Sequence, residues 1–280
     1  MYAALKMVAL LPLELLYIIS DFLYFLAYRV VKYRLEVVRE NLKNSFPEKP
    51  ENELKRIEKD FYRFLTDSIL ETIKLLHISD NQLKKRVRVI NPEIIEELVK
   101  SKPDIILYLG HYCNWEWVPA LTLTVKRPSI MGTLYSPLHN KLMDKIMLRL
   151  RSQLNLLCIP SDKAYRTLLE MRSEGKDYMI GFIADQRPPR PYRHWTEFLG
   201  QRTAFMAGGE TIGRKVGASF VYLDISRPRR GHYELSFVPM RIEDADTEEY
   251  PYSRLFFRLL EQTIRRQPAY WLWSHKRWHD

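Results

Sequence analysis

A chain of 280 residues, 46% hydrophobic and 28% charged, has the ordinary balance of a globular protein and is long enough for one large α/β domain. Its two cysteines, Cys113 and Cys158, exclude a disulfide scaffold and fit a reducing compartment. No Cys/His cluster has the spacing of a metal site, so zinc is not expected; no cofactor is expected either. The net charge of +10 suits an acidic partner: a nucleic acid, an anionic membrane surface or an acidic carrier protein.

The first candidate element is Val8–Tyr28, VALLPLELLYIISDFLYFLAY, long enough to cross a bilayer. Glu14 and Asp21 interrupt it, and a central acid costs roughly 2.5–3.5 kcal/mol on an insertion scale. Being seven residues apart, these acids share one stripe of a helix, with Tyr17 between them. The pattern predicts a helix with one polar seam toward protein or headgroups and an apolar side toward lipid. Arg29, Lys32, Arg34 and Arg39 follow, which by the positive-inside rule places the body of the protein in the cytoplasm. A core helix of a soluble domain is the competing reading. The resulting division is a membrane-associated, basic-flanked segment over 1–34 and one compact domain over 35–280.

Apolar periodicity predicts a helix over Leu54–Leu76. Residues 78–103 hold a charged stretch and a short helix, PEIIEELVK. Strands and helices then alternate. Strands are expected at Asp104–Leu109, Ser129–Leu134, Leu156–Ile159, Tyr178–Ala184, Ser219–Ile225 and Tyr233–Val238. Helices are expected near Asn114–Val125 and over Asn140–Gln153, Ala164–Ser173, Thr203–Val216 and Tyr252–Gln267. This alternation implies an α/β fold with a mixed, mostly parallel sheet flanked by helices. Sites in open sheets of this kind lie at the carboxyl ends of strands. Two polar constellations fall there: GHYCNWE after one strand and ADQRP after another.

In GHYCNWEW (110–117), three chemistries compete: an acid–base pair, a thiol nucleophile, or packing. His111 and Glu116 are separated by about 140° on an ideal helix. To pair, His111 must sit in the turn before the helix, with Gly110 giving the backbone freedom. Glu116 would then fix the imidazole tautomer, leaving the outer nitrogen to accept a proton. For Cys113 as a nucleophile, a positive, partly exposed setting and a base in reach are required.

These residues resemble the H-x-x-x-x-E motif of the bacterial lysophospholipid and lipid A biosynthesis (late) acyltransferase family. The likeness extends through RVVKYRLEVVRENLKNSFPE, RSQLNLLCIP, GFIADQRP, WTEFLGQRTAFMAGGE and YWLWSHKRW, in the same order over nearly the whole chain. The resemblance implies a glycerol-phosphate-acyltransferase-like fold with a membrane-associated N-terminus, at the cytoplasmic face of the inner membrane. It implies fatty acyl transfer from acyl carrier protein or acyl-CoA to a hydroxyl of a membrane lipid, and no nucleic acid partner. His111 would be the general base and Glu116 its partner. Arg151, Asp185, Gln186 and Asn114 would contact substrate. Members commonly have glycine where this chain has Cys113 and Asn155.

Other features admit bland readings. Thr203, Gly208 and Glu210 fit a helix start. Trp271, Trp273 and Trp278, with His275, Lys276 and Arg277, form either a membrane-interface belt or a partly buried tail. Two further functions compete with acyl transfer: a thiol-dependent hydrolase using Cys113, and a non-catalytic module binding an anionic surface.

Overall fold

A computed structural model describes residues 2–138, 140–152, 154–242 and 248–278. Helices α1 (Tyr2–Leu10), α2 (Leu13–Phe25), α3 (Leu35–Ser45) and α4 (Glu51–Lys74) come first, with a π-helical turn at Leu26–Val30. Helix α5 (Asp80–Arg86) starts on a Ser79/Gln82 capping box, which satisfies two of the N–H groups at its start. Then follow β1 (Val87–Val89), α6 (Glu93–Ser101), β2 (Ile105–Leu109), a 3-10 segment Trp115–Leu123, β3 (Ile130–Tyr135), α7 (Lys141–Ser152), β4 (Leu157–Pro160), α8 (Ala164–Ser173) and β5 (Tyr178–Ile183). The chain closes with β6 (His194–Phe198), β7 (Gln201–Phe205), α9 (Gly208–Val216), β8 (Ser219–Arg229), β9 (His232–Pro239) and α10 (Pro251–Arg266). Gln153, expected to end α7, lies outside the described residues.

Seven strands form one sheet in the order β1-β9-β8-β2-β5-β3-β4. All neighbours are parallel except the β8–β9 hairpin, so the architecture is α/β with a mostly parallel mixed sheet. Every residue of β2 is buried, as a strand covered on both faces requires. Its side chains alternate. Tyr108 meets Phe256 of α10, while Leu107 and Leu109 face a pocket under Trp115–Leu123.

Three elements differ from the sequence expectation. The polar 78–103 stretch contains β1, a short edge strand whose partner is β9. Helix character was expected from Thr203, but Thr203–Phe205 belongs to the β6–β7 hairpin and the helix starts at Gly208. That hairpin turns through Leu199 and Gly200, both left-handed, the geometry a two-residue turn demands. Phe198 then packs on Phe257 and Trp271, at 5.1 and 5.6 Å between ring centroids.

The N-terminal apolar stretch is not one helix. Between α1 and α2 the chain bends by 119°, and no single helix among the described residues is long and apolar enough to cross a membrane. Pro12 stands at the break and cannot continue the hydrogen-bond ladder. The polar seam faces protein in part, one of the two orientations its pattern allows, while the side chains of Glu14 and Asp21 stay largely exposed. Tyr17 donates to Glu71 at 2.9 Å and Ser20 to Asp67 at 2.7 Å, and Asp21 pairs with Arg230 at 2.7 Å. Arg227, near the end of β8, and Arg230, in the turn that follows it, reach the same Asp67. Both form structural ion pairs. The opposite side leaves Leu15, Ile18, Phe22 and Phe25 exposed.

Candidate active site

Strand register builds the centre of the site. On adjacent parallel strands β2 and β5, Leu109 stands opposite Ile183. Two residues beyond each lie His111 and Asp185, which meet at the carboxyl edge of the sheet. Asp185 Oδ1 lies 2.6 Å from His111 Nδ1, and the His111 backbone N–H donates to Oδ2 at 3.0 Å. The indole N–H of Trp271 donates to the same Oδ2 at 2.7 Å. Burial raises the Asp185 carboxyl, but the His111 imidazole and these hydrogen bonds outweigh it and hold it below the usual range. An ionised Asp185 accepts the Nδ1 proton, which leaves His111 Nε2 with its lone pair outward. Gln186 Nε2 sits 3.1 Å from that nitrogen and donates to it.

This arrangement corrects the expected pairing. The partner of His111 is Asp185, not Glu116. Glu116 is instead clamped by Arg151, whose Nε and Nη2 donate to its two oxygens at 3.0 and 2.6 Å. Trp115 Nε1 adds a third bond at 3.1 Å. Desolvation alone would lower the Arg151 pKa, yet the Glu116 hydrogen bonds and charge raise it. The ring of Trp115 also stacks edge-on to His111, with centroids 4.9 Å apart. It therefore separates the imidazole from the Glu116–Arg151 pair while touching both.

Asp185 is likewise corrected. It was expected to contact substrate, but it is 2% exposed and lies behind the imidazole. Asn114 was expected to do the same. Its amide nitrogen is committed to Glu71 at 2.9 Å and to the Ser68 carbonyl at 3.4 Å, so it anchors the motif to α4. Gln186 is half-buried beside His111 Nε2, while Arg151 and Asn114 each line an apolar cavity. Arg151 and Glu116 line a largely apolar pocket with Leu109, Thr133, Met179 and Ile183.

Gly110 has a different role from the one its freedom suggested. Its φ is not left-handed; a Cβ there would lie 2.6 Å from Leu260 Cδ1, so the glycine lets α10 pack against the strand end. Cys113 carries the left-handed turn, at φ +53°, and Asn155 is also left-handed, at φ +54°. At these two positions glycine is the unstrained choice. The Cys113 thiol is fully buried, and burial pushes its pKa well up. A buried, neutral thiol is a poor nucleophile, which argues against the hydrolase reading.

The C-terminal tail completes the site, and sequence reasoning assigned it no such part. Leu272 N–H donates to the His111 carbonyl at 3.1 Å, and Cys113 N–H to the Tyr270 carbonyl at 2.9 Å. Asn41 of α3 holds the Trp273 and His275 carbonyls at 2.8 and 3.0 Å. Trp271 and Trp273 are buried, so this segment is a tail rather than an interfacial belt. His275 accepts the Arg187 N–H at 3.3 Å. Burial lowers its pKa to about 4, so it is neutral near pH 7. Glu210 accepts from Ser253 N–H and Oγ, both at 2.8 Å, which ties α9 to the start of α10.

Comparison with known proteins places this geometry in a family. The family model for bacterial lipid A biosynthesis acyltransferases matches residues 1–280. The chain is 24% identical over 279 residues to the lipid A biosynthesis lauroyltransferase of Escherichia coli K12, covering 97% of this chain and 87% of that protein. It is 22% identical over 250 residues to the lipid A biosynthesis palmitoleoyltransferase of the same organism, covering 88% and 79%. The same identity and coverage relate it to a lipid A biosynthesis acyltransferase of Shigella flexneri. The chain belongs to the bacterial lipid A biosynthesis acyltransferase family and is an acyltransferase.

Proposed function

We propose that this enzyme transfers a fatty acyl group from a thioester, carried by acyl carrier protein or coenzyme A, to a hydroxyl of a membrane lipid such as a lipid A precursor. The observation that carries the reading is the Asp185–His111 pair, at 2.6 Å, with Nε2 directed away from the carboxylate. The acceptor hydroxyl displaces the Gln186 amide from Nε2 and gives up its proton there. The alkoxide oxygen bonds to the thioester carbonyl carbon, and the carbonyl π electrons pass to oxygen. Their return breaks the C–S bond, and the departing sulfur takes the proton back from Nε2. Asp185 stabilises the imidazolium throughout.

The pocket lined by Leu109, Met179, Ile183 and Gly181 would hold the acyl chain, because its mouth shares Trp115 with His111. Arg151, at its rim, is suited to stabilise the oxyanion. Glu116 keeps that arginine in place.

The exposed apolar side of α1 and α2, with Met7, Leu10, Ile18 and Phe22, fits a helix pair lying in the cytoplasmic face of the inner membrane. Arg29 and Lys32 at its end suit anionic headgroups. The bend between the helices supports a lying rather than a spanning segment.

Purified His111→Ala enzyme, assayed with lipid acceptor and either donor, should lose at least 10³-fold in kcat, on the scale of losing a catalytic base. Full acyl transfer by this variant would overturn the mechanism.

A further inference from the structure

A second cavity opens one residue beyond Gln186. Its volume is about 330 Å³, and Arg187, Arg202, Arg277, Tyr192, Trp195 and Trp278 line it. Three of the eight lining residues are arginines. The cavity joins the catalytic centre by short links. The Arg187 N–H bonds to His275, and the side chain of the preceding Gln186 touches His111 Nε2. The Trp278 ring lies 5.8 Å from that of Trp271, whose indole N–H holds Asp185.

Arg277 is the unusual member. It is 2% exposed, and its guanidinium has no carboxylate partner among the described residues. One Nη2 bond goes to the Ala204 carbonyl, while the buried Nε has no partner. Desolvation pushes its pKa down to about 10, partly offset through space by Asp185, which already serves His111. A buried cation is ordinarily paired. An arginine kept in this state is missing an anion. Arg202 at the mouth is exposed and stacks on Trp195, with the guanidinium 4.3 Å from the ring centroid. Stacking fixes its plane, so that its fork can meet a tetrahedral oxyanion in bidentate fashion.

We propose that this cavity binds a phosphate monoester of the acceptor lipid and so places the acceptor hydroxyl at His111. The assignment rests on the membrane-lipid acceptor proposed above. Phosphate fits because it is near-dianionic at neutral pH, which matches several guanidinium groups better than a single carboxylate does. The tryptophan walls suit the sugar or glycerol body that carries the phosphate. The donor offers phosphate of its own, on coenzyme A or on the carrier's prosthetic arm, and the experiment separates the two sources.

Full-length protein is assayed with a lipid A precursor bearing phosphate and with the same lipid after phosphatase treatment. Arg202→Gln should raise KM for the phosphorylated acceptor about tenfold, the cost of one charge-assisted contact, and leave the donor KM unmoved. The dephosphorylated lipid should show a raised KM with wild type and no further rise with the variant. Inorganic phosphate should compete with the phosphorylated acceptor in wild type and compete less well in the variant. Arg277→Gln should act in the same direction and more strongly. If that buried change prevents folding, the exposed Arg202 decides alone. Equal KM values for the two lipids in wild type, or a rise confined to the donor KM, would overturn the proposal. Should neither lipid accept an acyl group, the proposed function fails separately. Binding of the two lipids to wild type and Arg202→Gln then still tests the site, and equal affinities in wild type would overturn it.

Discussion

Asp185 and His111 lie 2.6 Å apart because parallel strands β2 and β5 are in register and end together at the Leu109–Ile183 pair, each of the two residues standing two positions beyond its strand. The contact depends on the sheet and not on a local motif, and a third bond, from Trp271, locks the carboxylate. Asp185→Asn should keep the fold and the Trp271 bond but offer His111 the wrong tautomer partner. The expected loss is about 10³–10⁴-fold in kcat with little change in KM, as when a triad carboxylate is removed elsewhere. Glu116→Gln leaves Asp185 untouched, so the free-energy costs of the two changes should add in the double variant. A cycle measured on kcat/KM checks this, and strong non-additivity would return Glu116 to the imidazole.

The Glu116–Arg151 pair should behave as a unit. The side chains of the two residues are 10% and 19% exposed. Removing either partner leaves a mostly buried charge, at a cost on the order of 3 kcal/mol. Glu116→Gln/Arg151→Gln together should cost less stability than the sum of the single changes. Denaturant unfolding of the four proteins measures the coupling.

Gly181 offers a test of the acyl pocket. A Cβ there meets Leu109, Thr133 and the Gly132 carbonyl at 3.6 Å each, an ordinary contact, so Gly181→Ala should fold normally. The added methyl narrows a pocket lined by those same residues. Competition between long and short acyl donors should move toward the shorter chain by roughly 10-fold, the worth of about one methylene in a hydrophobic pocket. Unaltered chain preference would place the acyl chain elsewhere, with the apolar groove lined by Ile69 and Ile73 of α4 and Met143 and Met147 of α7 the next candidate.

Much of this architecture is written in local patterns. The burial of β2, the β8–β9 hairpin and helices α4, α8 and α10 follow from apolar runs and their periods. Both polar constellations were visible at strand ends. Their mutual contact was not, because it requires knowing that β2 neighbours β5, a parallel pairing made across a long sequence interval. The H-x-x-x-x-E spacing points toward Glu116, which is near in sequence but commits its charge to Arg151. The β6–β7 hairpin was hidden because Leu199-Gly200 is not among the usual turn pairs, and because the following glycines resemble a helix start. The tail was ambiguous for a different reason: tryptophans suit an interface and a core equally well.

Cys113→Gly should be active and close to wild type in stability. Glycine relieves the left-handed strain at φ +53°, worth about 1 kcal/mol, while losing the packing of a small buried side chain of similar magnitude. The native enzyme should also resist a thiol-alkylating reagent at this position, since Cys113 is fully buried. Mass spectrometry of the labelled protein, with assays before and after treatment, checks both. Rapid inactivation through Cys113 would restore the thiol chemistry.

His275 sets a pH dependence whose sign can be worked out. Its pKa falls from 6.5 in the unfolded chain to about 4 in the fold, chiefly through burial. Between these values the unfolded state binds a proton that the native state does not, so stability falls as pH drops through that window. Burial is incomplete, so the loss is at most on the order of 3 kcal/mol, at 1.36 kcal/mol per unit. Protonation also removes the acceptor for the Arg187 N–H and so loosens the segment that carries Gln186 and the arginine cavity. His275→Gln retains an acceptor and does not titrate. Its unfolding free energy should therefore be flatter than that of wild type from pH 6.5 down to pH 4. Parallel curves for the two proteins over that range would show that some other group governs the acid limb.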